Sequence, residues 1–351
     1  MNNKIISLYI EILSQCNERC TYCYNQNNIN NTVLLDIKSY KKLLMDAQQL
    51  GVRSVSISGG EPFLHKYLKD FIHITKSLNL PLTIITNLTL YDLELYRAIC
   101  DNDISLQVTI DGPNEKVHDY TRGKGTFNKI ISNIHTLNKM GYAGNLNIRM
   151  NLHKKNYIYV DDMFTLLQRI NATFINFALI NPVGGGKTFT ESISNYDEFI
   201  LSEIQSSVES NSKDHKNIRV LFEGLKESIG CPYYGKENIQ CGLRVAPNGE
   251  VFPCQLFTEQ IFSLGNINEK SIVDIINGEE MNDFLTLMQL RKKFIPECYQ
   301  CAYKSICSTG CPAEAFITNG NIFSLNEKCF RNKKLFKDFF GNILCNSITN
   351  H

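Results

Sequence analysis

Three cysteines, Cys16, Cys20 and Cys23, fall within the stretch "QCNERCTYCY". Three clustered thiolates are one short of the four that close a structural zinc site or hold an iron–sulfur cluster. Such a group either borrows a fourth ligand from a distant residue or leaves one coordination position open for chemistry. A second cysteine-rich stretch lies at the far end. Cys231, Cys241 and Cys254 lead to "CYQCAYKSICSTGC", where Cys298, Cys301, Cys307 and Cys311 form C-x2-C-x5-C-x3-C, and Cys329 follows alone. These eight thiols suffice for two sites of four ligands each, and both zinc and iron–sulfur clusters accept such spacings. Cys100, in the apolar "LYRAIC", reads as a small buried hydrophobe, and Cys345 as incidental. The seven histidines make no H-x-x-E-H or H-E-x-x-H spacing, so none is a ligand candidate.

The elements that must position these groups are legible up to about residue 182. "IISLYIEIL", "VRSVSIS", "LTIIT", "ISLQVTI", "LNIRMNL" and "FINFALI" read as six strands, with helix-period segments such as 39–50, 67–78 and 127–140 between them. Gly51 and Gly141 are placed as helix stops. A βα repeat implies a parallel sheet, open or curled into a barrel, that binds ligands at the carboxyl ends of its strands. The cysteine loop after strand one and the loop Gly59–Gly60–Glu61–Pro62 after strand two then share one rim, and paired glycines there let backbone approach a ligand closely. "NPVGGGKT" after strand six lacks the first glycine of a phosphate loop and reads as a flexible lid. Beyond a helix at 196–209, "ESNSKDHKN" reads as an exposed loop or linker. Cys241 and Cys254 flank a hairpin whose turn is "PNGE".

Composition narrows the class. At 351 residues and 43% hydrophobic the chain is globular and long enough for two domains of roughly 150 residues. Thirty-six Lys and Arg against 35 Asp and Glu give no field favouring nucleic acid or an acidic membrane, and "RKK" at 291–293 reads as a solvated helix face. The start carries no signal-peptide pattern, and no apolar run approaches a membrane span. A cytoplasmic location is expected, and thirteen cysteines there argue for metal or catalysis over disulfides.

"CNERCTYC", with Tyr22 before its third cysteine, and "GGEP" together resemble the radical S-adenosylmethionine enzymes. The resemblance implies that Cys16, Cys20 and Cys23 hold three irons of a [4Fe–4S] cluster whose fourth iron binds S-adenosylmethionine through its amino and carboxylate groups. One electron then splits the sulfonium to a 5′-deoxyadenosyl radical, which takes a hydrogen atom from the substrate. By the same resemblance Gly59, Gly60, Glu61 and Pro62 flank the methionine amino group and Tyr22 lies near the adenine. "QVTIDGP" makes Thr109 and Asp111 candidates for the ribose. No catalytic base is nominated. Taken by itself, Thr109 reads as a buried strand hydroxyl and Asp111 as a turn cap.

The cysteine-rich end is similar to the SPASM auxiliary-cluster domain. That likeness assigns Cys231, Cys241, Cys254 and Cys311 to one [4Fe–4S] cluster and Cys298, Cys301, Cys307 and Cys329 to another. The fold expected is α/β, a partial (β/α)6 TIM-like barrel over 1–210, a linker over 211–230, a small iron–sulfur domain over 231–340 and a tail over 341–351. "VHDYTRGKGTFNKI" looks like a segment common among peptide-modifying members; read alone it is a loop and a helix start capped by Thr126. The implied activity is oxidative modification or crosslinking, thioether or carbon–carbon, of a ribosomally made peptide or protein. A flavodoxin- or ferredoxin-like donor of low potential would supply electrons. Sulfatase-maturing relatives carry an aspartate base where Gln255 stands, which counts against formylglycine formation. With strand one beginning by residue 5, leader recognition is expected from a separate protein or the barrel itself. The alternatives are a radical enzyme for a small molecule such as a tetrapyrrole or sugar, and a non-catalytic metal scaffold.

Overall fold

The computed structural model describes residues 4–337, apart from 195, 224–230, 235–239, 306, 308, 326–328, 331 and 335. Cys345 and the 341–351 tail lie outside the described residues. The six expected strands are present as β1 (Lys4–Glu11), β2 (Ser54–Ser58), β3 (Leu82–Thr86), β4 (Ser105–Thr109), β5 (Leu146–Leu152) and β6 (Phe174–Leu179). Helices α1 (Ile37–Gln49), α2 (Leu68–Ser77), α3 (Leu93–Asp101), α4 (Glu115–Arg122), α5 (Thr126–Lys139) and α6 (Val160–Arg169) alternate with them. Short polar side chains fix where the helices start. Asp36 accepts from the Lys38 and Ser39 amides, Asp92 from Leu95 and Asn114 from Val117. At α5 the cap is not Thr126: Gly125 precedes the helix, and the Asp119 carboxylate takes the Phe127 amide at 3.0 Å.

Neighbouring strands from β1 to β6 pair in parallel and in sequence order, as the βα alternation requires. The fold is a partial TIM-like barrel, its strands packed by the continuous apolar core that includes Ile10, Ile57, Ile84, Val108, Ile148 and Phe177.

The sheet does not end where the sequence suggests. Helix α7 (Glu198–Asp214) runs through most of the stretch expected as a loop, and β7 (Arg219–Phe222), inside the expected linker, pairs in parallel with β6. Four residues after a charged segment, with only Phe222 buried, carry too little periodicity to announce a strand. On the other edge β8 (Gln240–Val245) pairs in parallel with β1, then β9 (Glu250–Phe252) and β10 (Gly265–Asn266) add antiparallel. One ten-stranded sheet results, ordered β10-β9-β8-β1-β2-β3-β4-β5-β6-β7. The β8–β9 hairpin turns at "PNGE" as expected. The cysteine-rich region is thus stitched to the barrel by hydrogen bonds and continues with α8 (Ile272–Asn277), α9 (Glu279–Phe294) and α10 (Pro312–Asn319).

Arg291, expected on a solvated face, is fully buried in α9. Its guanidinium donates to the carbonyls of Thr309 at 2.9 Å, Ser324 at 2.6 Å and Ile322, tying together turns around the last cysteines. Among the described residues no helix is long and apolar enough to cross a membrane.

Ending the chain after Phe222 would strip β8 from β1 and leave the edge beside Ile5, Leu8 and Ile10 unpaired. The truncated protein is expected to elute as soluble oligomers or precipitate in size-exclusion chromatography; a monodisperse monomer would show that β1 does not need this cover.

Candidate active site

At the carboxyl ends of the strands lies a cavity of about 440 Å3. Cys16, Cys20 and Cys23 all line it, with Gly59, Gly60 and Glu61 from the second loop and Thr109 from β4. The two loops are locked by backbone contacts. Gly60 N donates to Leu13 O at 2.8 Å and Glu61 N to Gln15 O at 2.9 Å. A Cβ on Gly60 would lie 2.0 Å from Gln15 O, so only glycine allows this approach.

The expected lid turns out to be a brace. Gly184–Lys187 forms a 3-10 turn, and Gly185 N donates to Cys23 O at 2.8 Å. A Cβ on Gly184 would lie 2.3 Å from Tyr24 O and one on Gly185 2.7 Å from Thr21 O. The glycine run that suggested flexibility is there for close packing against the cysteine loop.

Glu61 lines the cavity, yet its carboxylate is spent on structure. It accepts from Thr86 Oγ1 at 2.6 Å, the Asn87 amide at 2.7 Å and the Phe63 amide at 3.1 Å, while burial pushes its pKa up to about 7. Pro62 opens a 3-10 turn outside the lining. Asp111, a ribose candidate, does not reach the cavity: it is fully buried. Its oxygens accept from the Asn151 amide at 2.9 Å, from Thr121 Oγ1 at 3.1 Å and from the Tyr22 hydroxyl. Its role is to hold Tyr22, whose hydroxyl also accepts from Asn151 Nδ2 at 3.0 Å. His118 supports the same hub, Nδ1 accepting from the Asp111 amide at 3.1 Å, and burial drives its pKa down to about 4.

Several lining residues carried no sequence signal. Asn87 reaches Asn17 at 2.9 Å and Cys16 Sγ at 3.9 Å. Glu18 and Arg122 flank Cys20: Arg122 Nη1 donates to its sulfur at 3.0 Å, and Glu18 Oε2 lies 3.3 Å from it. Arg122 stands inside "VHDYTRGKG", which did mark the region without marking this residue. On the opposite wall, Glu11 at the end of β1 accepts from Tyr24 at 2.9 Å and pairs with Arg244 of β8 at 2.8 Å. Gln255 and Leu256, next to Cys254, complete that wall.

The remaining cysteines gather in two groups. Cys254 and Cys311 lie close enough to raise the Cys231 thiol pKa, Cys311 raises that of Cys254, and Cys241 is in hydrogen-bonding contact with Tyr233. Cys298, Cys301, Cys307 and Cys329 line a second, small cavity. Cys100 is half-buried against the core.

Burial pushes the thiols up: Cys16 and Cys254 to about 11, Cys231 to about 12, and Cys20 higher still. Thiols so placed become thiolates when metal displaces their protons. Among the described residues no three Cys, His, Asp or Glu side chains converge tightly enough for a single metal ion. A cluster of four irons spreads its thiolates around a wider body. Glu18 and Arg122 are ion-paired, yet Glu18 Oε1 and Arg122 Nε are buried without a hydrogen-bond partner, leaving one acceptor and one donor open beside the thiols. Three thiols, a roomy cavity of mixed polar and apolar lining, and the open donor and acceptor on Arg122 and Glu18 fit an iron–sulfur cluster with a zwitterionic cofactor.

A partial barrel with a thiol-lined cavity at its strand ends and a cysteine-rich region closing one wall is the layout of an iron–sulfur enzyme. Residues 10–167 match the Radical SAM superfamily, and residues 237–302 match the SPASM iron–sulfur cluster-binding domain. The chain carries a radical SAM domain followed by a SPASM domain, and the cofactors that go with them are S-adenosylmethionine, a [4Fe–4S] cluster and auxiliary clusters. It is similar to the cysteine-type anaerobic sulfatase-maturating enzyme of Clostridium novyi, 24% identical over 92% of this chain and 93% of that one. The subtilosin biosynthesis protein AlbA of Bacillus subtilis is 26% identical over 76% of this chain and 58% of its own length. Streptococcus suis SuiB, in a crystal structure with its precursor peptide SuiA, shares the fold at a TM-score of 0.76 and 18% identity, covering 92% of this chain and 74% of that one.

Gly185→Ala should push the cysteine loop out of place and lower the iron bound after anaerobic reconstitution by about four atoms per chain, one cluster's worth; unchanged iron would show that the loop tolerates the side chain. His118 gives a pH prediction. The unfolded chain protonates it near 6.5, whereas the folded protein resists until about pH 4. This contribution is complete above pH 6.5 and is lost as pH falls towards 4, by about 3 kcal/mol at most. His118→Gln should flatten that part of the pH–stability profile in denaturant unfolding.

Proposed function

We propose that this enzyme is a peptide maturase. It cleaves S-adenosylmethionine reductively to a 5′-deoxyadenosyl radical, abstracts hydrogen from a ribosomally made peptide or protein, and leaves an oxidative modification or a thioether or carbon–carbon crosslink. Cys16, Cys20 and Cys23 would hold the cluster that binds the cofactor. Cys231, Cys241, Cys254 and Cys311 would hold one auxiliary cluster, and Cys298, Cys301, Cys307 and Cys329 the other. The observation that carries the reading is the single cavity bounded by the first three thiols on one side and by Gln255 and Leu256, beside Cys254, on the other. A substrate there would stand between a source of radicals and a route for its departing electrons. The bacteriocin-biosynthesis relative and the peptide-bound structural neighbour support a peptide in that place.

The cofactor and its cluster supply the radical; the chain's own side chains orient and exclude water. Gly59 and Gly60 let the rim backbone come close, Tyr22 is fixed by Asp111 and Asn151, and Thr109 offers a hydroxyl from β4. Gln255 presents an amide that takes no proton, which argues against formylglycine formation. A flavodoxin- or ferredoxin-like protein would deliver electrons, and a separate protein could present the leader.

The test is anaerobic reconstitution, where wild type should bind about twelve irons per chain by the cysteine arithmetic. Cys20→Ala should lose deoxyadenosine production completely while keeping about eight irons; undiminished production by that variant would refute the assignment.

A further inference from the structure

Arg122 ends α4 with its side chain only 9% exposed. Two carboxylates clamp it: Glu18 Oε2 lies 3.8 Å and Asp111 Oδ2 3.7 Å from its Nε. Asp111 cannot swing away, because Tyr22, Thr121 and the Asn151 amide hold its oxygens. The clamped guanidinium directs Nη1 at Cys20 Sγ, 3.0 Å away, while Glu18 Oε2 approaches the same sulfur to 3.3 Å. One candidate ligand thus carries a cation and an acid at contact distance, and its two neighbours, Cys16 and Cys23, carry no such pair. Charges act strongly where burial removes the screening water.

We propose that Arg122 and Glu18 together set the reduction potential of the [4Fe–4S] cluster that Cys20 helps to hold, Arg122 raising it and Glu18 lowering it. The inference rests on the cluster assignment made above. Reduction adds one negative charge to a body already wrapped in thiolates. Among clusters of one type, hydrogen bonds to the sulfurs and net local charge are what tune the potential. A guanidinium N–H on a ligand sulfur favours the reduced form, and a carboxylate at the same sulfur opposes it. Held as a pair, the two offset each other, so the potential depends on how each is positioned and not on either charge alone.

The test is a mediated potentiometric titration of the anaerobically reconstituted full-length protein without S-adenosylmethionine, followed by electron paramagnetic resonance. The N-terminal cluster is picked out as the reduced signal that S-adenosylmethionine alters in parallel samples, and iron and sulfide are counted in every variant. Glu18→Gln, nearly isosteric, should move the midpoint to more positive values. Arg122→Gln should move it to more negative values, and Arg122→Lys, which keeps charge but not the two-sided clamp, should fall between. Midpoints that stay put or move in the reverse sense in fully loaded variants overturn the proposal. Should Arg122→Gln fail to load because two carboxylates are left unpaired, Glu18→Gln decides alone by the same criterion. A loaded wild type with no signal responsive to S-adenosylmethionine would instead overturn the cluster assignment, and this inference with it.

Discussion

The loop from Leu13 to Tyr24 is held by backbone approaching backbone at distances no side chain permits. Gly59 and Gly60 press on Leu13 and Gln15 from the end of β2, and Gly184 and Gly185 press on Thr21 and Tyr24 from beyond β6. The end of β2 beside β1 and the turn beyond β6 across the barrel mouth therefore fix the three thiols against one cavity. Loops placed by side chains can drift by a rotamer; loops placed by their own amides and carbonyls cannot. A site that must hold a reactive species away from water gains from this rigidity.

Around that frame the polar groups divide the labour. Asp111 and Glu61 are buried acids whose oxygens are consumed by amides and hydroxyls, and each anchors a neighbour: Tyr22 in one case, the end of β3 in the other. Glu18 and Arg122 are buried but not saturated. The two are paired with each other, yet each keeps one buried atom without a hydrogen bond, a costly arrangement in a scaffold. The contrast separates scaffold from site more sharply than residue type does, since all four are ionisable and lie within one region.

The cysteine-rich region joins this arrangement through the sheet. Parallel pairing of β8 with β1 brings Arg244 against Glu11 and carries the chain on to Cys254, Gln255 and Leu256 at the cavity wall. Barrel and cysteine-rich region line one cavity because they share one hydrogen-bonded ladder. The division into a barrel, a linker and a separate domain describes the order of the chain better than its construction.

The spacing of Cys16, Cys20 and Cys23, the "GGEP" loop and the βα alternation were enough to indicate the fold class, the radical SAM and SPASM domains and the rim that carries the candidate site. Periodicity and ligand spacing are local properties, and local properties survive in one dimension. What only the tertiary structure decided lies in contacts between distant segments: Asp111 turned inward, the glycine run made a brace, Arg291 buried, β7 and β8 added to opposite edges. Arg122 meets Cys20 across 102 positions of chain, and Arg244 meets Glu11 across 233. No pattern of neighbours in sequence encodes such meetings; they arise when the sheet sets strand ends side by side.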